Sequence, residues 1–352
     1  MERITSEFPI PVKLAKTGKY GLFYNIFNIP AECWRMSGNS HNILIIGFGT
    51  VGQGFFELFN RKKEELGLQN VKISEIADMR YGHIKSPGED LLQNLPAQKT
   101  PPADVLKVIR ESSCDIVCEF TWVDFKTGGP GYDHIKTALS SGKHVITTNK
   151  GPITTHYDEL NELAVKNRVK LRFKGTVMAG TPSFNLLKLL PGAKVLRFRG
   201  ILNGTTNYIL NEMSIGKSFE AALRDAQQKG YAEADPTNDV DGFDSAAKCA
   251  IISKILGWPH DFNEIEVKGI REVTAQEART GTKLLVYGDP KSAYVKPVKL
   301  PDDDLLSSIR GVTNAIEFET DTLGRIYSVG PGAGRIETAQ AAMTDLLDII
   351  SL

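Results

Sequence analysis

Acidic residues and a lysine are concentrated between residues 235 and 248, which hold four aspartates and Lys248. Asp244 and Lys248 lie four residues apart, and the apolar residues that follow position 242 recur at helical spacing, so both charges fall on one face of a predicted helix. Such a pair is an ordinary solvated salt bridge if it is exposed. The density of acids in the preceding turn does not suit a core and favours a polar pocket, where an ammonium group can stabilise a developing oxyanion and donate a proton.

This segment resembles the signature of homoserine dehydrogenases. The matching positions are Ala226, Gly230, Ala232, Asp235, Asp239, Gly242, Asp244 and Lys248. In that family the segment holds the amino-acid end of the substrate and supplies a catalytic lysine. The resemblance implies that Lys248 donates the proton, that Asp244 orients it, and that Glu233 and Asp239 bind the substrate ammonium. It also implies that four further residues line the pocket, namely Thr181, Asn203, Gly204 and Thr205.

A predicted strand at 41–46 runs directly into the sequence GFGTVG and then into a predicted helix. Gly47 permits the tight turn, Gly49 lets a pyrophosphate approach the backbone, and Gly52 lets the helix pack closely on the strand. The helix N-terminus then receives the negative charge of a dinucleotide. The predicted cofactor-binding residues of this turn are Gly47, Gly49, Thr50, Val51 and Gly52.

The second predicted strand, residues 71–77, ends at Asp78, with Arg80 two positions later. An acid at this place binds the ribose hydroxyls of NAD, whereas a nearby arginine accepts the extra phosphate of NADP. Because both are present, the sequence leaves NAD and NADP open.

Further polar residues follow the later strands of this sheet, where ligands bind in open α/β folds. These predicted cofactor-binding residues are Thr121, Thr148, Asn149 and Lys150. The run TNKGP around Lys150 resembles the family, in which this lysine reaches the reacting centre and is a second candidate for the acid–base role. A glycine turn near the C-terminus also resembles the family and adds Gly332, Ala333, Gly334 and Thr338 to the predicted cofactor site.

The order of elements predicts an α/β protein with a Rossmann-type dinucleotide-binding domain and an α+β domain with its own sheet, and the resemblance implies that the second domain serves catalysis and dimerisation. We assign residues 37–165, completed by 325–352, to the first domain and residues 166–324 to the second. Residues 1–36 do not join this pattern. We interpret them as an ordered arm, a flexible tail or an over-extended gene start, and favour the last.

Composition excludes several classes of protein. The chain has 352 residues with 42 basic and 42 acidic side chains, so nothing favours electrostatic binding to nucleic acid or membrane. The four cysteines are too few for a disulfide framework and favour a reducing cytoplasm. No apolar run reaches the roughly 18 residues of a membrane span. These features favour a cytoplasmic protein, and the resemblance implies a homodimer that binds a small-molecule substrate.

One position departs from the family. Many homoserine dehydrogenases bind a monovalent cation through a glutamate and backbone carbonyls, and Lys174 stands where that glutamate would be. We expect no metal ion, because an ammonium group repels a hard cation. The Lys174 ammonium either replaces the cation at the carbonyl groups of Val177 and Ala179 or points to solvent.

The resemblance covers residues 41–352 and implies NAD(P)-dependent interconversion of L-aspartate 4-semialdehyde and L-homoserine, a step of threonine and methionine biosynthesis. Two alternatives stay open at this point. One is another amino-acid or semialdehyde oxidoreductase on the same scaffold. The other is a nicotinamide-binding sensor without catalysis, which would bind the cofactor without turnover.

Overall fold

A computed structural model describes residues 40–95 and 102–351. The segment that we interpreted as an N-terminal extension, residues 1–36, lies outside the described residues. Two six-stranded sheets organise the rest of the chain. None of the helices in the described part combines the length and the apolar character that a membrane span requires.

Both sheets are built from strands numbered along the chain. The strands are β1 (His41–Ile46), β2 (Val71–Asp78), β3 (Gly82–Lys85), β4 (Ile116–Glu119), β5 (His144–Thr147), β6 (Leu171–Arg172), β7 (Val195–Ile201), β8 (Glu266–Val267), β9 (Thr282–Gly288), β10 (Ala293–Lys299), β11 (Thr313–Thr320) and β12 (Gly324–Pro331). The helices are α1 (Thr50–Lys62), α2 (Val105–Glu111), α3 (Gly129–Ser140), α4 (Lys150–Lys166), α5 (Gly204–Ser214), α6 (Phe219–Gln228), α7 (Thr237–Val240), α8 (Phe243–Ile255), α9 (Ala275–Arg279) and α10 (Arg335–Ile350).

The first sheet has the strand order β3-β2-β1-β4-β5-β6, with β3 antiparallel to β2 and the other neighbours parallel. The central strand β1 is buried on both faces. Ile43 and Ile45 pack in a core that α1 and α10 share, whereas Leu44 and Ile46 pack in a second core that includes α3. This order, with helices on both faces, confirms the predicted Rossmann-type domain.

The second sheet has the order β12-β11-β7-β9-β10-β8 and is antiparallel except for the β8–β10 pair. Helices α5 and α8 cover one face, on which Phe198, Val286 and Phe318 are buried. This helix-covered sheet confirms the predicted α+β domain. Most of β11 is buried on both faces, because Ala315 packs with Leu300, Leu306 and Ile309 in a further apolar cluster.

Helix α4 consists of two helical segments joined by a kink at His156, where φ is −134° and ψ is 22°. The second segment begins near residue 157, where the sequence pattern predicts a helix. The first segment replaces the loop predicted at 148–152: the Asn149 side chain accepts a hydrogen bond from the Gly151 amide at 3.1 Å and caps the segment, which starts at Lys150. Pro152 does not prevent this, because proline is tolerated in the first helical turn, where the amide has no intrahelical partner. Lys150 thus lies at a helix N-terminus.

Other elements differ in type or length from the prediction. The sequence pattern assigns no element to 203–210, but residues 204–210 form most of helix α5, with the Asn203 side chain as its cap. The sequence pattern also predicts a helix at 183–190, where the structure has a 3₁₀-helix, Phe184–Leu189, and a strand at 265–270, of which only Glu266–Val267 forms. The short antiparallel strand β3 was not predicted.

Lys174 takes neither orientation expected from the sequence. Its ammonium lies 3.4 Å from Oδ1 of Asp345 and 3.8 Å from Oδ2 of Asp348, both on α10. The buried Asp345 carboxylate attracts the ammonium more strongly than neutral carbonyls do, since a buried charge requires a partner. The Val177 carbonyl accepts a hydrogen bond from the Ser183 hydroxyl, and Ala179 is buried with a φ of 47°. That no cation binds stays a prediction.

The Lys174–Asp345 pair fastens α10 to the chain that follows β6. Burial raises the pKa of Asp345 to about 7, although Lys174 acts in the opposite direction. Because the folded state holds this proton more tightly than the unfolded chain does, the contribution of Asp345 to stability falls as the pH rises from about 4 to about 7. Above that range the charged carboxylate depends on Lys174.

We expect Lys174→Met to lower the free energy of unfolding by roughly 3 kcal/mol at pH 8, because it leaves a buried carboxylate without a cation. The loss should be smaller at pH 6, where Asp345 is largely protonated. Lys188→Met is the matched control: Lys188 also faces Asp348, but its side chain is 61% exposed, so the expected change is at most about 1 kcal/mol. Denaturant titrations at both pH values measure these changes, and equal losses in the two variants would contradict the assignment.

Candidate active site

The two sheets meet at a cleft of about 960 Å³. Its walls come from the carboxyl ends of β4 and β5, from the first turns of α4, α5 and α8, and from the turn between β12 and α10. Most of the residues predicted for catalysis and binding line it. They are Thr50, Val51, Thr121, Thr148, Asn149, Lys150, Asn203, Gly204, Thr205, Glu233, Asp239, Asp244, Lys248, Gly332, Ala333, Gly334 and Thr338.

The Asp244 carboxylate joins the two lysines. Its Oδ2 lies 2.7 Å from Nζ of Lys248 on the same helix, and its Oδ1 lies 3.2 Å from Nζ of Lys150, which belongs to the first sheet's α4. The Lys248 ammonium also donates to the carbonyl of Leu202. The side chain of Lys248 is only 7% exposed, so the solvated salt bridge that the spacing alone allowed is wrong.

Two opposing effects determine the charge of Asp244. Burial by itself would raise its pKa, but the ammonium groups of Lys248 and Lys150 outweigh burial and hold the pKa well below its ordinary value. Asp244 is therefore ionised throughout the physiological range. The arrangement places two cations on one fixed anion at the edge of a cleft, which suits stabilisation of a developing oxyanion.

A second carboxylate lies next to this group. The side-chain nitrogen Nδ2 of Asn203 donates to Oδ1 of Asp239 at 2.7 Å and to Oδ2 of Asp244 at 3.0 Å. It thereby holds both acids in place. Burial raises the pKa of Asp239, and the negative charge of Asp244 raises it further. Asp239 thus lacks a cationic partner of its own within the described residues, and it faces a cleft that could supply one.

The remaining residues predicted to bind substrate differ in position. Glu233 is exposed at the cleft, and no described side chain pairs with its carboxylate. The Thr205 hydroxyl donates to the Tyr231 carbonyl at 2.6 Å. The Thr181 hydroxyl donates to the carbonyl of Pro331, a residue that lines the cleft, at 2.8 Å and braces the turn after β12. The place of Thr181 in the substrate pocket stays a prediction.

The glycine turn after β1 has the geometry that a dinucleotide requires. Gly47 has a φ of +83°, which other residues rarely adopt. A Cβ at Gly52 would lie 2.2 Å from the Gly47 carbonyl oxygen, so α1 packs on the turn only because this residue is glycine. A Cβ at Gly49 would meet only a side-chain nitrogen of Arg80, at 3.6 Å, which leaves space beside the backbone.

Asp78 and Arg80 lie together at the end of β2. The two oxygens of Asp78 accept hydrogen bonds from the backbone amides of Phe48 and Arg80, each at 2.7 Å, so this carboxylate fixes the glycine turn. The side chain of Arg80 is about half exposed, and its Nη2 contacts the Phe48 carbonyl at 3.3 Å. Neither side chain lines the cleft itself, and both lie beside the glycine turn.

The ends of β4 and β5 are connected through side chains. Asn149 donates to the Trp122 carbonyl at 3.0 Å while its oxygen caps α4, so its amide positions the backbone as well as lining the cleft. Thr121 bonds to the buried Glu119. Lining residues that the sequence reasoning missed include Thr176, Tyr231 and Asn314. Asn314 lies within the apolar pattern of a predicted strand. The only sequence signal of its role is a polar residue at a position where that pattern favours an apolar one.

Within residues 40–95 and 102–351, no group of three or more histidine, cysteine, aspartate or glutamate side chains has the arrangement of a metal site. Sequence comparison identifies two family profiles in the chain. Residues 47–174 match the profile "Homoserine dehydrogenase, NAD binding domain", and residues 182–347 match "Homoserine dehydrogenase".

Individual relatives agree with these profiles. The chain is 39% identical to the homoserine dehydrogenase of Sulfurisphaera tokodaii over 87% of this chain and 97% of that protein. It is 37% identical to an NAD(+)-dependent homoserine dehydrogenase of Pseudomonas canavaninivorans, over 88% and 96%. A solved hyperthermophilic archaeal homoserine dehydrogenase in complex with NADPH superposes with a TM-score of 0.78 at 30% identity, over 88% and 97%. These comparisons show that the chain belongs to the homoserine dehydrogenase family.

Proposed function

We propose that the protein catalyses the NAD(P)-dependent interconversion of L-aspartate 4-semialdehyde and L-homoserine. The observation that carries this proposal is the Asp244 carboxylate, which holds Lys150 and Lys248 together at the cleft between the two sheets. Burial of these charged groups carries a desolvation cost even when they are paired. A nicotinamide sensor without catalysis would have no need for such a group at this place.

The residues around the glycine turn fit a dinucleotide. Gly47 makes the turn, Gly52 lets α1 approach it, and the first amides of α1 provide the positive end of the helix dipole. Asp78 holds the turn, and the exposed Arg80 is suited to an additional phosphate, so we propose that this site takes NAD or NADP. When bound, the cofactor supplies the hydride chemistry.

The two lysines have different surroundings, which suggests different roles. Lys248 is buried and held by Asp244 and by the Leu202 carbonyl, so its ammonium has a fixed direction and is our candidate for the proton donor. Lys150 is more exposed and touches only Asp244 in the described structure, and we assign it the electrostatic stabilisation of the substrate oxygen. Exchange of these two roles is the alternative.

The carboxylates at the other side of the cleft suit the amino-acid end of the substrate. Asp239 and Glu233 have no described cationic partner, and a substrate ammonium would supply one. The Asn203 side-chain amide at the start of α5 donates to Asp239 and to Asp244, so the first turn of α5 lies against these two acids. We therefore propose that the substrate binds with its ammonium toward these acids and its oxygen toward the lysines.

We expect Lys248→Met to lower kcat by about 10² to 10⁴, the range typical for loss of a general acid or base, while the Kd of the cofactor stays near that of the unmodified protein. Lys254→Met is the control on the same helix, because Lys254 pairs with Asp261 away from the cleft. Steady-state kinetics with homoserine and a cofactor titration measure both quantities. A Lys248→Met protein that keeps more than half of the original kcat would rule out the assigned role.

We expect Glu233→Ala to raise the KM for homoserine by roughly ten-fold or more, since a hydrogen bond between charged groups contributes about 1.5–3 kcal/mol. The KM for the cofactor should not change. Glu272→Ala removes a comparable acid far from the cleft, where it pairs with Lys268, and should alter neither constant. A parallel rise of both KM values in Glu233→Ala would mean that Glu233 is structural.

The face of the second sheet that α5 and α8 leave uncovered supports a homodimer. Tyr287 and Tyr294 stack there with ring centroids 4.9 Å apart, and Arg197 pairs with Glu319 on the same face. Partly exposed aromatic and arginine side chains are enriched at protein interfaces. We propose that two chains pair through this face. The balanced charge and the buried, free cysteines Cys114, Cys118 and Cys249 agree with a cytoplasmic enzyme that has no nucleic-acid or membrane partner.

Light scattering should give a mass in solution of twice the 38.7 kDa of one chain. Tyr294→Asp places a charge on the proposed interface and should shift the mass toward a single chain, because an unpaired buried charge is unfavourable. Lys268→Asp, at an exposed position outside that face, is the control and should remain a dimer. A monomeric unmodified protein at micromolar concentration would contradict the proposal.

A further inference from the structure

Asn314 is a buried polar residue whose side chain has no partner within the described structure. It lies near the start of β11, opposite Gly330 of β12, and is 0% exposed. Neither polar atom of its amide, Nδ2 or Oδ1, has a hydrogen-bond partner among residues 40–95 and 102–351. Buried side-chain amides are nearly always paired, so a residue with two unpaired atoms requires an explanation.

The place of Asn314 indicates a ligand. It lines the same cleft as Lys150 and Lys248, at the wall formed by the turn after β12. A Cβ at Gly332 in that turn would lie 2.0 Å from Nδ2 and 2.3 Å from Oδ1, so a side chain at position 332 would occupy the space of the amide. The glycine therefore makes room for the Asn314 amide itself, which no described group satisfies.

The chemistry of the amide restricts what it can bind. It presents one donor and one acceptor in a single plane, and because both atoms are unpaired either orientation of the amide is available. A substrate ammonium only donates, and a substrate carboxylate only accepts. A hydroxyl does both, but through one oxygen. A primary carboxamide offers a carbonyl and an NH₂ group side by side and can satisfy both atoms of Asn314 at once.

The surrounding elements favour the cofactor over the substrate. The Gly332 turn leads into α10, and α10 packs on α1, the helix that follows the dinucleotide turn. A Cβ at Gly54 of α1 would lie 2.6 Å from the Arg335 carbonyl oxygen, which shows how closely these helices approach. No described contact connects Asn314 to Glu233 or Asp239, the acids that we assign to the substrate ammonium.

We infer that Asn314 binds the carboxamide of the nicotinamide ring through a pair of N–H···O hydrogen bonds. Asn314 is thus a cofactor-binding residue contributed by the second sheet, and it fixes which face of the ring is turned toward the substrate. The inference rests on the proposed dehydrogenase function only for the identity of the cofactor as NAD or NADP.

The test measures cofactor binding without homoserine, by titrating the full chain and following tryptophan fluorescence, for which Trp122 lies in the cleft. The two probes are the oxidised cofactor and its 3-acetylpyridine analogue, in which a methyl group replaces the NH₂ of the carboxamide. The unmodified protein should bind the natural cofactor about ten-fold more tightly, because the analogue leaves the Asn314 oxygen without a donor.

Asn314→Leu should weaken binding of the natural cofactor by about ten-fold and remove the preference over the analogue. Thr320→Val is the control: it deletes a buried polar group on the same strand, where Thr320 bonds to Gly324 and Leu323 away from the cleft, and should change neither Kd nor preference. Should Asn314→Leu fail to fold, Asn314→Ser and the comparison of both probes on the unmodified protein still decide the question.

Three outcomes would overturn the inference. One is equal binding of the two probes by the unmodified protein, and another is an unchanged Kd in a folded Asn314→Leu protein. The third is a rise in the homoserine KM without a change in cofactor Kd, which would assign Asn314 to the substrate. Absence of homoserine turnover with intact probe discrimination would instead contradict the proposed function and leave this inference standing.

Discussion

The ionised carboxylate of Asp244 is the group on which the arrangement of the cleft depends. One oxygen faces Lys248 from the same helix, and the other faces Lys150 from the dinucleotide-binding sheet. An aspartate without these cations would be unfavourable at this depth, and a lysine as buried as Lys248 would be unfavourable without the aspartate. Each charge therefore stabilises the burial of the others, and the pair Lys150–Asp244 fixes the relation between the two parts of the chain.

The C-terminal helix α10 also stabilises the arrangement of the two sheets. Helix α10 leaves the second sheet through the Gly332 turn, packs on α1, and is fastened near its end by Lys174 and Arg172, which face Asp345 and Asp348. Cations at the carboxyl end of a helix also interact favourably with its dipole. As a result, the chain returns to the first sheet after the second sheet is complete, and α10 connects the two walls of the cleft.

Polar groups near the cleft fall into two kinds. The side chains of Asp78, Asn149 and Thr181 form hydrogen bonds with backbone groups and thereby stabilise the shape of the site. At the cleft, Asn314 has two amide atoms without a partner, and Glu233 and Asp239 make no ion pair within the described residues. Since unsatisfied polar groups are unfavourable in an isolated fold, the second kind is where ligand recognition is expected.

Local pattern in the sequence determined much of this description. The glycine turn after β1, the spacing of Asp244 and Lys248, and the apolar pattern of β7 each depend on neighbours along the chain, and each predicted its element correctly. The prediction that failed at the start of α4 involves local competition: an asparagine cap and a first-turn proline started a helical segment in a predicted loop. Propensity alone does not resolve such competition.

Tertiary structure alone decided the partners of the charged and polar side chains. The sequence could place Lys174 near a cation site, but Asp345 lies 171 positions away, and only folding brings its buried carboxylate to the ammonium. Thr181 and Pro331 are similarly distant in sequence. Asn314 is also distant in sequence from most of the other residues that line the cleft. Hydrogen bonds and ion pairs act over a few ångströms, so their partners depend on the packing of whole elements, which no short sequence window contains.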